Sequence, residues 1–205
     1  ADADALAATL RSILAAVQDA VRSSAELAAE LRALTPLAEG TDRIFAEQAL
    51  ALGFRLECVL PFARAEFERD FLPPHALEAG SLERFRRLLA QAASVVELAG
   101  SRADAGRAYE ACGHAVLAHS DLLVVVWDGE RQMRSGGTEA TFDEAVRRGV
   151  PVVWIDAHAP HAWQMYTASA RSSAASARAV PDGTGSPEAL RTALRRAADE
   201  APRAG

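Results

Sequence analysis

The chain has 205 residues, half of them hydrophobic, with a formal charge of −6 and a pI near 5.4, and every Lys-or-Arg position is an arginine. An acidic chain without a basic stripe lacks the positive field that displaces counterions from phosphates, so nucleic acid is not an expected partner. No run reaches the ~18 apolar residues of a membrane span, and the first residues lack the order of a signal peptide; the expectation is a cytoplasmic α/β domain with no membrane span.

Residues 4–22 carry Leu6, Leu10, Ile13, Leu14, Val17 and Val21 at three- and four-residue steps, the stripe of an amphipathic helix. Leu31 to Leu37 reads as a short strand, Glu39-Gly40-Thr41-Asp42-Arg43 as a turn, and Ile44 to Leu52 as a helix ended by Gly53. Leu56 to Leu60 is a second strand, closed by Pro61. Ala63 to Phe71 reads as helical, Pro73-Pro74 breaks it, and Ser81 to Ala93 resumes under a serine cap. A short strand over Val95 to Leu98 precedes Gly100, and a helix runs from Asp104 to His119. The all-apolar run at 122–127 fits a central parallel strand covered on both faces. Gly137 to Arg148 is a helix stopped by Gly149, and Val150 to Ile155 is a further strand. Such alternation predicts a parallel sheet wrapped by helices. The domain is expected over residues 1–165. Residues 166–187 read as a flexible or loosely packed segment with an edge strand near Ala177 to Val180, and 188–205 as a last helix and tail.

Ser135-Gly136-Gly137-Thr138-Glu139 follows the run Leu122 to Trp127 and opens a helix. Unpaired amides and the helix dipole then converge on one turn, a geometry suited to a phosphate. Aligning Gly40-Thr41-Asp42 with Gly137-Thr138-Glu139 brings Phe45 onto Phe142, Glu47 onto Glu144 and Gly53 nearly onto Gly149. Helix capping alone accounts for each unit. Two of them at one sheet edge favour a shared ligand cleft.

Other candidates divide between binding and structural roles. Glu39 and Asp42 suit a ribose diol and Arg43 a phosphate, or the three form an intraturn salt bridge. Asp128, before Gly129, suits a base or ribose, or an ordinary Asp-Gly turn. Trp127 and Phe62, which follows Pro61, either stack on a purine or fill the core, the commoner role. Asp156, His158 and His161 read as structural or surface groups, so no metal site is expected, and His119 reads as a helix cap. Cys58 and Cys112 read as buried free thiols.

Pro36-Leu37-Ala38-Glu39-Gly40-Thr41-Asp42-Arg43, Val59-Leu60-Pro61-Phe62, His119-Ser120-Asp121 leading into Val126-Trp127-Asp128-Gly129, and Gly136-Gly137-Thr138 together resemble the SLOG superfamily. Its name comes from the bacterial protein Smf and the Lonely Guy (LOG) phosphoribohydrolases. The resemblance covers roughly residues 4–160. It implies a Rossmann-like parallel sheet of about five or six strands, helices on both faces as a three-layer sandwich, and a nucleotide pocket at the strand carboxyl ends. Members include cytokinin-activating enzymes and nucleotide sensors of bacterial conflict systems, the latter thought to recognise NAD-derived or related nucleotides.

Relatives begin with a strand ending in a turn such as Gly-His-Arg, which contributes to phosphate binding, whereas this chain opens directly into its first helix. The first strand is expected to be absent, and whether an effector domain adjoins the chain stays open. The LOG enzymes carry a motif resembling Pro-Gly-Gly-x-Gly-Thr-x-Glu-Glu. Matching its Gly-Thr to Gly137-Thr138 puts Ala140 and Thr141 where the two acids belong. The resemblance therefore implies a sensor of an adenine or NAD-derived nucleotide, without a further cofactor, more than an enzyme. The alternative is a nucleoside-monophosphate N-glycosidase using Glu139 or Glu144, and an Smf-like single-stranded DNA binder is a third class that the acidic charge opposes. Relatives often pair through helices flanking the site, which implies a homo-oligomer, most simply a dimer. The apolar stripe of the first helix serves either that pairing or packing on the sheet.

Overall fold

The computed structural model describes residues 2–23, 30–129, 137–167 and 183–200. In chain order the elements are α1 (Ala3–Arg22), β1 (Arg32–Thr35), α2 (Thr41–Ala51), β2 (Arg55–Leu60), α3 (Arg64–Phe67), a 3-10 turn (Glu68–Phe71), α4 (Ser81–Leu89) and β3 (Ser94–Glu97). A second 3-10 turn (Arg102–Asp104) leads into α5 (Ala105–Ala118), β4 (Leu123–Trp127), α6 (Thr138–Arg148), β5 (Val152–Asp156), β6 (Trp163–Tyr166), β7 (Gly183–Thr184) and α7 (Pro187–Glu200). The expected α/β class is what the chain has, but its strands form two sheets rather than one. The described residues fall into two compact units, one of residues 30–119 with 137, the other of residues 2–23, 120–129, 138–167 and 183–200. No helix among the described residues is long and apolar enough to cross a membrane.

In the first unit β1, β2 and β3 are parallel with β2 central, and Cys58 faces Thr35 on one side and Val95 on the other. Alternation along β2 buries Leu56, Cys58 and Leu60, as the two-residue period of a strand requires. Helices α2 and α5 both pack on β2. Beyond the carboxyl end of β2 lies an aromatic cluster. Phe67 meets Phe62 at 5.7 Å, Phe71 at 4.9 Å and Phe85 at 5.7 Å between ring centroids, all edge-to-face. That arrangement sets the positive ring edge against the negative face, adding about 0.5–1.5 kcal/mol per pair beyond area burial. The cluster explains why the expected helix over 63–71 is split, since the tighter 3-10 winding at Glu68–Phe71 carries Phe71 into it.

In the second unit β4 and β5 are parallel, with Trp127 opposite Asp156, and α6 is the crossover between them. Strands β6 and β7 add antiparallel neighbours. Neither was expected, because a reading built on strand–helix alternation has no place for a hairpin. The turn that permits β6 is short, closed by Ala162 N–H to Ala159 O at 2.8 Å and Asp156 N–H to Ala162 O at 3.2 Å. The edge strand expected over Ala177 to Val180 and most of the 166–187 segment, like residues 201–205, lie outside the described residues. Helix α1 opens under Asp2, whose carboxylate accepts from Asp4 N–H at 3.1 Å and Ala5 N–H at 3.3 Å. Its stripe of Leu6, Leu10, Ile13 and Leu14 is buried, and the helix packs against α7, which contributes Leu190, Ala193 and Leu194. That packing uses the apolar face within the unit.

The sequence repeat has a structural counterpart. Helices α2 and α6 each span 11 residues, begin at a threonine and end at a glycine with φ near +80°, namely Gly53 at 79° and Gly149 at 78°. Each end closes with the same pair of hydrogen bonds. Gly53 N–H bonds Leu50 O and Phe54 N–H bonds Ala49 O, while Gly149 N–H bonds Val146 O and Val150 N–H bonds Ala145 O, all at 3.0–3.2 Å. This doubly bonded terminus needs a left-handed residue, which glycine supplies without a Cβ penalty. A Cβ on Gly53 meets no atom within 4 Å, so Gly53→Ala isolates the backbone strain. Urea unfolding is expected to show a loss of about 1 kcal/mol and a smaller loss for Gly53→Asn; an unchanged midpoint in Gly53→Ala counts against the left-handed terminus.

Candidate functional site

The turn between β1 and α2 contains Glu39, Gly40, Thr41, Asp42 and Arg43. Leu37 is the non-glycine residue with positive φ among the described residues, at 59°. Its conformation is held from both sides: its N–H donates to Thr35 Oγ1 at 3.2 Å, and its carbonyl accepts from Arg43 Nε at 3.1 Å. Glu39 accepts the Leu77 N–H at 3.1 and 3.0 Å, tying the turn to the loop before α4. Thr41 is the first residue of α2, and Gly40 precedes it with φ 87°.

Arg43 is fully buried. Its Nη1 donates to Ser81 O at 2.9 Å and Ser81 Oγ at 2.8 Å, with Glu78 Oε1 at 3.5 Å, and its Cζ lies 4.3 Å from the centroid of the Phe71 ring. Its Nη2 is buried without a hydrogen-bond partner. Burial lowers its pKa from the ordinary arginine value, while Glu39 and Glu78 pull the other way. Of the two sequence readings, a phosphate ligand and an intraturn ion pair, neither describes this environment. The guanidinium joins the turn to α4 and to the aromatic cluster.

Asp42 is half-buried in the first turn of α2. Its Oδ2 accepts the Ala38 N–H at 3.1 Å. Burial pushes its pKa up to about 6, against the opposing pull of the Ala38 N–H, the Thr35 hydroxyl and Arg43. Nearby, Cys58 and Cys112 are free and buried, the latter donating Sγ–H to Val59 O at 3.2 Å. Burial and then the Asp42 charge push both thiols up to about 12. At the carboxyl end of β2, Pro61 and Phe62 are buried. Phe62 stands edge-on to Phe67 and, at 5.9 Å, to Tyr109, so its ring belongs to the core.

At the carboxyl end of β4, Trp127 is half-buried, with its ring 5.9 Å from Phe142. Its carbonyl accepts Trp154 Nε1–H at 3.1 Å and Ala157 N–H at 3.2 Å. Asp128 and Gly129, the latter with φ 77°, follow. Gly137, with φ 124°, and Thr138 are exposed at the opening of α6, and Glu139 lies in its first turn. Gly136 lies outside the described residues. Glu144, well along the helix, is paired with Arg147 and with Arg148 at 2.5 Å. The α2 turn belongs to the first unit and follows the carboxyl end of β1, while β4 and α6 from Thr138 onward belong to the second. Asp156 Oδ1 accepts the His158 N–H at 2.8 Å. Among the described residues no group of three His, Cys, Asp or Glu side chains is placed to hold a metal. His119 is the cap residue of α5.

A cleft of about 450 Å³ opens in the first unit, lined by Glu66, Arg69, Leu72, Pro73, His75 and Arg102. None of these residues stood out in the sequence as a ligand group, and Pro73 was noted only as a helix breaker. They come from two separated segments, 66–75 and the turn at Arg102, without a shared motif, and only the fold collects them.

No family model matches this chain, and no curated protein matches it.

Removing Arg43 takes the guanidinium from the Leu37 carbonyl and the Ser81 carbonyl and hydroxyl and opens space beside Phe71. Arg43→Ala is expected to lose about 3 kcal/mol in urea unfolding, and a loss below about 1 kcal/mol, the scale of one net hydrogen bond, counts against the bracing role. Asp42 gives a pH signature. With its folded pKa above the unfolded value of 3.8, stability from this group is lost as pH rises through the window up to about 6. Asp42→Asn mimics the protonated acid, so its gain in Tm over the wild type should be largest above pH 7 and vanish near pH 4. A gain independent of pH contradicts the assignment.

Proposed function

We propose that this chain is a nucleotide-binding sensor domain of the SLOG type, which takes the phosphate of an adenine or NAD-derived nucleotide at the amino terminus of α6. The observation that carries the reading is the opening of that helix. Exposed Gly137 and Thr138 start α6 on the connection that leaves the carboxyl end of a parallel strand. The first N–H groups of a helix have no partner within it, and its dipole favours negative charge there. In open α/β sheets, ligands bind beyond the strand carboxyl ends. The glycine allows close approach of a phosphate, the Thr138 hydroxyl adds a donor, and Asp128 suits the sugar hydroxyls.

Binding is preferred to N-glycosidic cleavage for two reasons. Ala140 and Thr141 stand where the resemblance would require acids, and the Glu144 carboxylate is engaged by two arginines. The proposal carries with it the homodimer that the family resemblance implies.

Thermal unfolding with AMP, NAD and ADP-ribose tests the reading. Saturating ligand at about a hundred times its Kd contributes roughly 2.7 kcal/mol, so at least one nucleotide should raise Tm by several degrees. Chromatography should return the ligand intact. Gly137→Trp, which covers the helix start, and Thr138→Pro, which deletes one amide while suiting the first helical position, should each abolish the shift. A null result with all three nucleotides overturns the proposal, and release of free adenine or nicotinamide replaces the sensor with a hydrolase.

A further inference from the structure

Arg102 is the best-braced charged side chain of the cleft in the first unit. Its Nη1 donates to Asp70 Oδ1 at 2.5 Å and to the Glu66 carbonyl at 3.1 Å, and its Cζ stands 6.0 Å from the Phe62 ring centroid. Asp70 is itself fixed by the Tyr109 hydroxyl, which donates to Oδ2 at 2.7 Å. All of this bracing uses one nitrogen. The Nε and Nη2 donors have no partner among the described residues, although the side chain is only about a third exposed, at 31%. A guanidinium held on one side and open on the other is a pre-organised fork for an oxyanion, because the ordering cost is met before binding.

The surroundings favour the same ligand. Arg69 and His75 line the cleft with Arg102, and its carboxylate, Glu66, is engaged by Arg69 Nη1 at 3.2 Å from both oxygens. This gathers an imidazole and two arginines, Arg69 paired with Glu66 and Arg102 with Asp70, each through one nitrogen. The volume of about 450 Å³ exceeds what an inorganic ion fills, and Leu72 and Pro73 supply an apolar wall for an organic body. The position is also apt. Arg102 follows β3 by five residues and Glu66 follows β2 by six, and Arg64 N–H bonds Glu97 Oε2 at 2.9 Å across the two strand ends. The cleft therefore opens at the carboxyl edge of a parallel sheet, the side on which such sheets bind ligands.

The geometry points to a binding site for a small phosphomonoester in this cleft, with Arg102 gripping the phosphate through Nε and Nη2, and Arg69 and His75 completing its donors. The site is independent of the helix opening at Gly137 and Thr138 and does not rest on the nucleotide reading.

Calorimetric titration of the full chain with ribose 5-phosphate, ribose and inorganic phosphate decides the matter. Ribose 5-phosphate should bind saturably, inorganic phosphate should compete with it, and ribose should not bind. Arg102→Gln should weaken binding by about tenfold or more, in line with the loss of a bidentate charged pair. Because Arg102 also braces Asp70, the exposed pair Arg69→Gln with His75→Gln is the second variant, and it should weaken binding by about threefold to tenfold. No saturable binding of ribose 5-phosphate, binding unaltered in both variants, or ribose binding as tightly as its phosphate overturns the assignment.

Discussion

A buried guanidinium organises the first unit. Moving a cation out of water costs several kcal/mol even after relaxation, and Arg43 offsets that cost through the Leu37 carbonyl, the Ser81 carbonyl and hydroxyl, and the face of Phe71. Each partner is thereby fixed. Leu37 keeps a left-handed backbone that a β-carbon ordinarily disfavours, Ser81 starts α4 at a set distance from α2, and Phe71 is held over the cation within a ring cluster reaching back to β2. The loop between Phe71 and Ser81 is bounded by two anchored ends, and Glu39 and Glu78 secure it between them. Since Glu66, Leu72, Pro73 and His75 belong to or adjoin that segment, the shape of the cleft also follows from where Arg43 sits.

The two βα turns show one backbone solution used twice with different chemistry. Both have a glycine of positive φ, a threonine opening an 11-residue helix, an acid in the first turn and a left-handed glycine stop. In the α2 copy the acid is half-buried and raised in pKa, and the arginine beside it goes inward. The α6 copy keeps Gly137 and Thr138 at the surface. Similar local sequence thus goes with internal bracing in one copy and a solvent-exposed threonine in the other, and the difference lies in what α4 and its loop bring to the first.

Periodic features were legible in the sequence, and features made by tertiary contact were not. The stripe of α1, the apolar strands β2, β4 and β5 and the glycine stops at 53 and 149 each follow from local pattern, because burial of one face and a left-handed terminus leave direct marks in residue order. Strand β6 was missed, since four residues beside a polar tail carry too little period to register. Arg43 was read as a phosphate ligand or as one partner of an intraturn salt bridge; charge is ordinarily exposed, and only the convergence of Leu37, Ser81 and Phe71 makes its burial tolerable. Phe62 went to the core, the commoner fate of an aromatic residue at a strand end. The cleft drew no notice because its arginines are ordinary in sequence, and their meeting at one sheet edge exists only in three dimensions.

The two cysteines have a kinetic meaning. A thiol pushed up to about 12 is ionised at neutral pH to only about one part in 10⁵, against a few per cent for a free cysteine. Cys58 on the central strand and Cys112 on the helix packed over it are chemically silent while the first unit is closed. Their modification by a thiol reagent therefore measures how often β2 and α5 part. The sheet carries its own clock for local opening, and no label needs to be introduced to read it.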